Sequence, residues 1–135
     1  MEKGLSAYNQ IANEVPVEGA DAHKLIQLLM SGALERLGKA LAAIRANNIE
    51  VRSEMIGNTI AIFIGLHDSL DFEKGGEIAE NLSGLYNYMI RRCTQANIEN
   101  NGEFIEEVIK LLAEIKSAWD GIRDQAQALS EGNTT

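Results

Sequence analysis

From residue 17 to its end the chain contains no proline, and its one proline, Pro16, stands ahead of everything that reads as regular structure. Proline stops helices more reliably than any other residue, so its absence leaves weaker breakers to divide the chain. They cluster at three places: "ANNIE" (46–50), "DFEKGG" (71–76) and "ANIENNG" (96–102). Four long segments result, and each reads as a helix. In the last, Ile105, Val108, Leu112, Ile115, Trp119 and Ile122 alternate steps of three and four, the seam of a bundle helix. The first begins at Asp21, a plausible N-cap, is rich in alanine, and places Ile26, Met30, Ala33, Leu37, Ala40 and Ile44 on one face. The β-branched run "TIAIFIGL" also fits a strand, but no second strand exists for it to pair with.

Connections of only a few residues make successive helices antiparallel neighbours. The expected fold is therefore all-α: an antiparallel up-down four-helix bundle over residues 21–129. A short N-terminal segment, residues 1–20, packs against it, and residues 130–135 form a mobile tail. A chain of 135 residues has room for one such unit.

Charge and composition exclude several functions. Twenty acidic against twelve basic residues give a net charge of -8, which repels phosphate backbones and anionic lipid, and no block of Lys or Arg opposes it. Nucleic acid is not an expected partner, and neither is membrane insertion, since no apolar run approaches the roughly 18 residues of a span. The lone Cys93 has no disulfide partner and "MEKGLSAYNQ" lacks the basic end and apolar run of a secretory signal, which together suit a reducing cytoplasm.

Catalytic chemistry is scarce. His23 and His67 belong to no Glu-x-x-His or His-x-x-x-His pattern, so a bundle metal site has no ligand set, and neither a cofactor nor an enzymatic activity is expected. Cys93 reads as a small buried hydrophobe, and Gly75-Gly76 as a turn that opens a helix rather than a phosphate loop. Glu77 and Glu80 in the first turn of that helix and Arg91 and Arg92 near its end suit the helix dipole without any ligand, and Glu106 and Glu107 read as outward-facing.

What remains is surplus apolar surface. In "GGEIAENLSGLYNYMIRR" a seam of Ile78, Leu82, Leu85, Met89 and Ala96 is flanked by Asn81 and Tyr88 on one side and by Ala79, Tyr86 and Ile90 on the other. The arc spans about 200°, against roughly 100° for an ordinary surface helix. The second helix seats Met55, Thr59, Ile62, Phe63, Leu66 and Leu70 in the core and leaves Ile56, Ile60 and Ile64 over, with His67 ending the leftover stripe. A broader core accounts for such an arc, and so does an interaction surface. The N-terminal residues Tyr8, Ile11 and Val15 also have the spacing to fold back as a cover.

Taken together, "SLDFEKGGEIAENLSGLYNYMIRRCTQANIENN", "IEEVIKLLAEIKSAW", "HKLIQLLMSGALERLGKALAAI" and "AYNQI" closely resemble the flagellar secretion chaperone FliS family, from about Ala7 to Trp119. The chain departs from that pattern at Ala22, where the family often has proline, and at Met30 and Ser31, where it often has an aromatic-acidic pair. The resemblance implies a cytoplasmic helical bundle that binds the disordered C-terminal segment of flagellin, prevents premature polymerisation and keeps it competent for export. Export-apparatus components or an anti-sigma factor are further candidate partners, and an adaptor for another amphipathic client is the alternative. Self-association through the stripe, as a weak homodimer, is a variant. From the leftover surface, Ile56, Ile60, Ile64, Tyr86, Met89 and Ile90 are expected apolar contacts, with Asn81 and Tyr88 placed to hydrogen-bond the client. The residues Leu85, Tyr86, Arg91, Arg92 and Asn97 match the family motif, and Tyr8 is the candidate lid.

Overall fold

The computed structural model describes Ile11 and residues 22–133, with side chains described as far as Ile122. Tyr8, Val15 and the expected cap Asp21 lie outside the described residues. Four helices follow one another: α1 (Ala22–Arg45), α2 (Ile49–Asp68), α3 (Phe72–Glu99) and α4 (Gly102–Asn133). Each packs against its neighbours in sequence and α4 returns to α1, which is the up-down bundle. The last helix continues past residue 129, where the sequence reading ended the bundle.

The turns explain the boundaries. At both the α1–α2 and the α3–α4 turns stands an Asn-Asn pair with divided labour. Asn47 (φ 57°) and Asn100 (φ 53°) take the left-handed conformation that ends a helix. Asn48 then accepts from the Val51 N–H and Asn101 from the Glu103 N–H, each capping the helix that follows. At the α2–α3 turn Asp71 caps α3 by accepting from the N–H groups of Glu73 and Lys74, both at 3.0 Å. One turn later the helix is broken at Gly76 (φ 50°, ψ -126°), a conformation that a side chain would strain. The double glycine thus interrupts α3 just after its start, and the long straight part of the helix follows it.

The core is filled by Leu29, Met30 and Leu37 from α1, Ile56, Ile62, Phe63 and Leu66 from α2, Tyr86, Met89 and Cys93 from α3, and Ile105, Val108 and Leu112 from α4. Thr59, fully buried, donates its hydroxyl to the Met55 carbonyl at 2.8 Å. Cys93 sits in the core as expected, its thiol pKa pushed up to about 12 by burial.

The helical faces need three corrections. Ile56 is 1% exposed and belongs to the core, where it continues the Thr59 and Phe63 face, while Met55 and Leu70 are only half-buried. On α3 the buried seam is Ala79, Tyr86, Met89, Cys93 and Ala96, turned by about 40° from the expected one. The wheel weighs every apolar residue alike, whereas the helix turns its large Tyr86 ring inward and leaves Tyr88 and Arg92 where polar partners reach them. Third, Ile78 and Ile122, expected in the core, are 67% and 46% exposed. The pairs His67–Ser83 and His23–Trp119 mark where α2 ends and α1 begins. Both isoleucines lie beyond those levels, on the part of α3 and α4 that outruns the other two helices.

Candidate client groove

The surplus surface of α3 divides between its two neighbours, and hydrogen bonds fix which flank faces which. Toward α2, Asn97 accepts from Arg52 Nε (2.9 Å) and Ser53 Oγ (3.3 Å), and His67 Nε2 pairs with Ser83 Oγ at 2.7 Å. Toward α4, Glu107 accepts from Tyr88 and from Arg92. By the helical period Ile90 falls on the first flank, with Ile60 and Ile64 opposite on α2. Asn81 and Leu85 fall on the second, and Leu82 falls in the seam between Met89 and Cys93. The expected contacts therefore do not form one stripe.

On the α4 flank the helical period sets Leu85 of α3 beside Leu111 and Ile115 of α4, all half-buried, with the exposed Ile78 and Ile122 beyond them and the half-buried Leu82 beneath, an apolar strip that is the candidate groove. This pair of helices is the least extensively packed of the four. Counting 1.5 Å per residue, the groove runs about 22 Å from the level of Glu107 to that of Ile122, the length of a four-turn helix. Asn81, exposed, stands on its rim with a free amide for an incoming backbone.

A charged cluster shuts the other end. Glu107 Oε2 accepts from the Tyr88 hydroxyl at 2.7 Å, and its Oε1 from Arg92 Nε at 2.6 Å. The Arg92 guanidinium lies 4.1 Å from the Phe104 ring centroid and reaches Gln95 Oε1 at 3.1 Å. The Arg92 bond, and then the Tyr88 bond, hold the Glu107 carboxyl below its ordinary pKa, while the Glu107 bond raises both Tyr88 and Arg92. Glu107, expected on the outer face, thus faces α3 instead. The i, i+4 relation of Tyr88 to Arg92 is the signal in the sequence that one acceptor could serve both.

The remaining expected contacts are placed as follows. Tyr86 and Met89 are buried and contribute packing, with burial pushing the Tyr86 pKa up to about 12. Arg91 is exposed, 5.9 Å from the Tyr88 ring centroid. Asn97 is a tie between α2 and α3. Sequence reasoning missed Leu111 and Ile115 on this strip and Phe104 beneath Arg92, and assigned Ile78 and Ile122 to the core. At the head of α1, the Trp119 Nε1–H donates to the His23 carbonyl (3.1 Å), His23 Nε2 donates to the Trp119 carbonyl (2.6 Å), and the rings stack at 4.6 Å. Gln27 and Lys116 both bond Asp120, which secures the same end of α4.

The family model "Flagellar protein FliS" matches residues 4–126. The chain belongs to the FliS family. It is 47% identical over 120 residues to the flagellar secretion chaperone FliSB of Pseudomonas aeruginosa, covering 89% of this chain and 95% of that protein. The flagellar secretion chaperones FliS of Salmonella typhimurium and Vibrio cholerae are 44% and 42% identical over 124 and 122 residues, covering 91% and 90% of this chain and 92% and 90% of theirs. This is a family of export chaperones rather than of enzymes. No helix among the described residues is long and apolar enough to cross a membrane.

Proposed function

We propose that the chain is a cytoplasmic chaperone that holds the disordered C-terminal segment of flagellin in the α3/α4 groove, prevents its premature polymerisation and keeps it competent for export. The observation that carries this reading is the half-buried apolar strip between α3 and α4 that ends in two exposed isoleucines, Ile78 and Ile122. A disordered segment that becomes helical there buries its apolar face, and ordering its backbone costs about 2–5 kcal/mol of the gross gain. Binding of that kind is reversible without ATP. Leu85 lines the groove, Asn81 offers it hydrogen bonds, and the Tyr88–Glu107–Arg92 cluster limits how far the client reaches.

The N-terminal segment is proposed as a movable cover, although its one described residue, Ile11, is anchored on α1, away from the groove, with its Cδ1 2.5 Å from where a Cβ on Gly32 would stand. Deleting residues 1–15, Tyr8 included, is expected to tighten client binding or speed association, and a clear weakening counts against a cover.

The test is calorimetric titration with flagellin's C-terminal segment. One-to-one binding with a negative heat-capacity change is expected, weakened at least about tenfold in Ile78→Asp and in Ile122→Asp. Both positions already face solvent, so the fold survives. Unchanged affinity in both variants overturns the assignment of the groove.

A further inference from the structure

The other flank of α3 carries a second apolar surface. Five isoleucines stand on the outward face shared by α2 and α3: Ile49, Ile60 and Ile64 from α2, Ile90 and Ile98 from α3. Counting 100° per residue from the buried Ile56 and Ala79 puts all five on the flanks that the Ser53–Asn97 and His67–Ser83 bonds show to face one another. Ile49, Ile64 and Ile98 are 63%, 45% and 78% exposed, and Ile60 and Ile90 are half-buried. Isoleucine is stiff at χ1, so covering these side chains costs little rotamer freedom. On α2, Gly57 lies between Ile49 and Ile60 with nothing within 4 Å of the place a Cβ would take, so a partner's backbone has room to approach. From Ile49 to Ile64 the surface extends about 22 Å, again about four turns of helix.

Its rim identifies the partner. Glu50, Glu54, Asp68 and Glu80 are exposed and point outward on these two helices, and Arg91 stands against them. Among the described residues Glu50, Glu54 and Glu80 form no ion pair, and Asp68 is 3.8 Å from His67 Nδ1. α1 differs, with Lys24, Arg36, Lys39 and Arg45 against Glu35. Two copies meeting through the α2/α3 face would set carboxylates against carboxylates within a Debye length of about 8–10 Å. A helix with lysine or arginine beside its apolar stripe meets the same rim favourably.

We infer that the α2/α3 face docks an amphipathic, basic-flanked helix of about four turns from a partner protein, at a site separate from the α3/α4 groove. A chaperone filled on one flank of α3 is then gripped on the other. The charged rim steers the encounter, and salt weakens it.

The probe is a fluorescent synthetic helix of about 18 residues whose isoleucines repeat the Ile49, Ile60 and Ile64 spacing between lysine flanks, with a glutamate-flanked control. Anisotropy titration of the full chain is expected to show the lysine peptide binding at least about tenfold tighter than the control, with affinity falling as salt rises. Ile64→Asp and Ile98→Asp should each abolish that preference while helicity by circular dichroism is unchanged, and Ile78→Asp should leave it intact. Equal binding of the two peptides, or binding that persists in both variants, overturns the inference. So does displacement of the peptide by the flagellin segment, which places the client here, or a wild-type dimer in sedimentation that Ile64→Asp dissolves, which places a second copy here. The response of flagellin binding to Ile78→Asp reads the groove assignment separately, so either can fail alone.

Discussion

The two flanks of α3 are made from the same kinds of residue and are closed to different degrees. Toward α2 the helix is tied near both ends, by Asn97 to Arg52 and Ser53 and by Ser83 to His67, and between those ties Tyr86 is buried in the core cluster that holds Ile56 and Phe63. Toward α4 the described residues tie it at one level, through Glu107, and beyond that level the apolar residues of the two helices are only half-buried or exposed. Two ties hold neighbouring helices together along their length, whereas a single tie leaves the rest of the seam to apolar packing alone. The closed flank should therefore answer to mutation in stability, and the open one in client binding.

Tyr86→Ala is the severest way to break that contrast. If Tyr86 is packing, its removal costs about 3–5 kcal/mol in urea unfolding and lowers Tm by many degrees. A loss under about 1 kcal/mol accompanied by lost client binding would return the residue to the surface. Asn97→Ala ranks next, because it leaves the half-buried Arg52 and Ser53 donors without their acceptor. A loss of about 1–2 kcal/mol is expected, with client affinity unchanged.

Much of this architecture is legible in the sequence, because it depends on local rules. Asn-Asn pairs, the absence of proline after Pro16 and a three-and-four seam fix where helices stop and which face of α4 turns in. The face of α3 is harder to read, since Leu82 with Leu85 and Ala79 with Tyr86 offer two apolar centres about 80° apart and the choice depends on what α2 and α4 present. Ile78 and Ile122 were misread for a related reason. The seam pattern continues through them, and no property of either helix reveals that α1 and α2 end short. The pairing of Tyr88 and Arg92 through Glu107 joins residues on two helices, and a single helix wheel does not contain it.

Gly32→Ala tests the anchor of the N-terminal segment and should barely move stability. Alanine gains about 1 kcal/mol in helix propensity over glycine, and the Cβ it adds displaces the end of the Ile11 side chain at a similar cost. The expected signature is a nearly unchanged Tm together with faster amide exchange at Ile11. Unchanged exchange would mean that the segment adjusts in place.

The smallest effect is expected at the tie on the open flank, and pH gives its sign. Glu107 has its carboxyl pKa lowered in the folded protein, first by Arg92 and then by Tyr88, so the folded state favours the ionised form. Its contribution is present above the ordinary glutamate range and is lost as pH falls through the depressed folded value. The cluster is still partly open to solvent, which screens it, so Glu107→Gln should leave neutral-pH stability close to the scatter of surface substitutions. Its consequence is positional. With the carboxylate gone, Tyr88 and Arg92 no longer close the seam, and amide exchange in the helical turns around Tyr88 and Glu107 should quicken at pH 7 and become insensitive to acid, while exchange near Asn97 stays as it was. Equal quickening on both flanks would show that α3 moves as one rigid rod between its neighbours, and the distinction between a closed flank and an open one would fall with it.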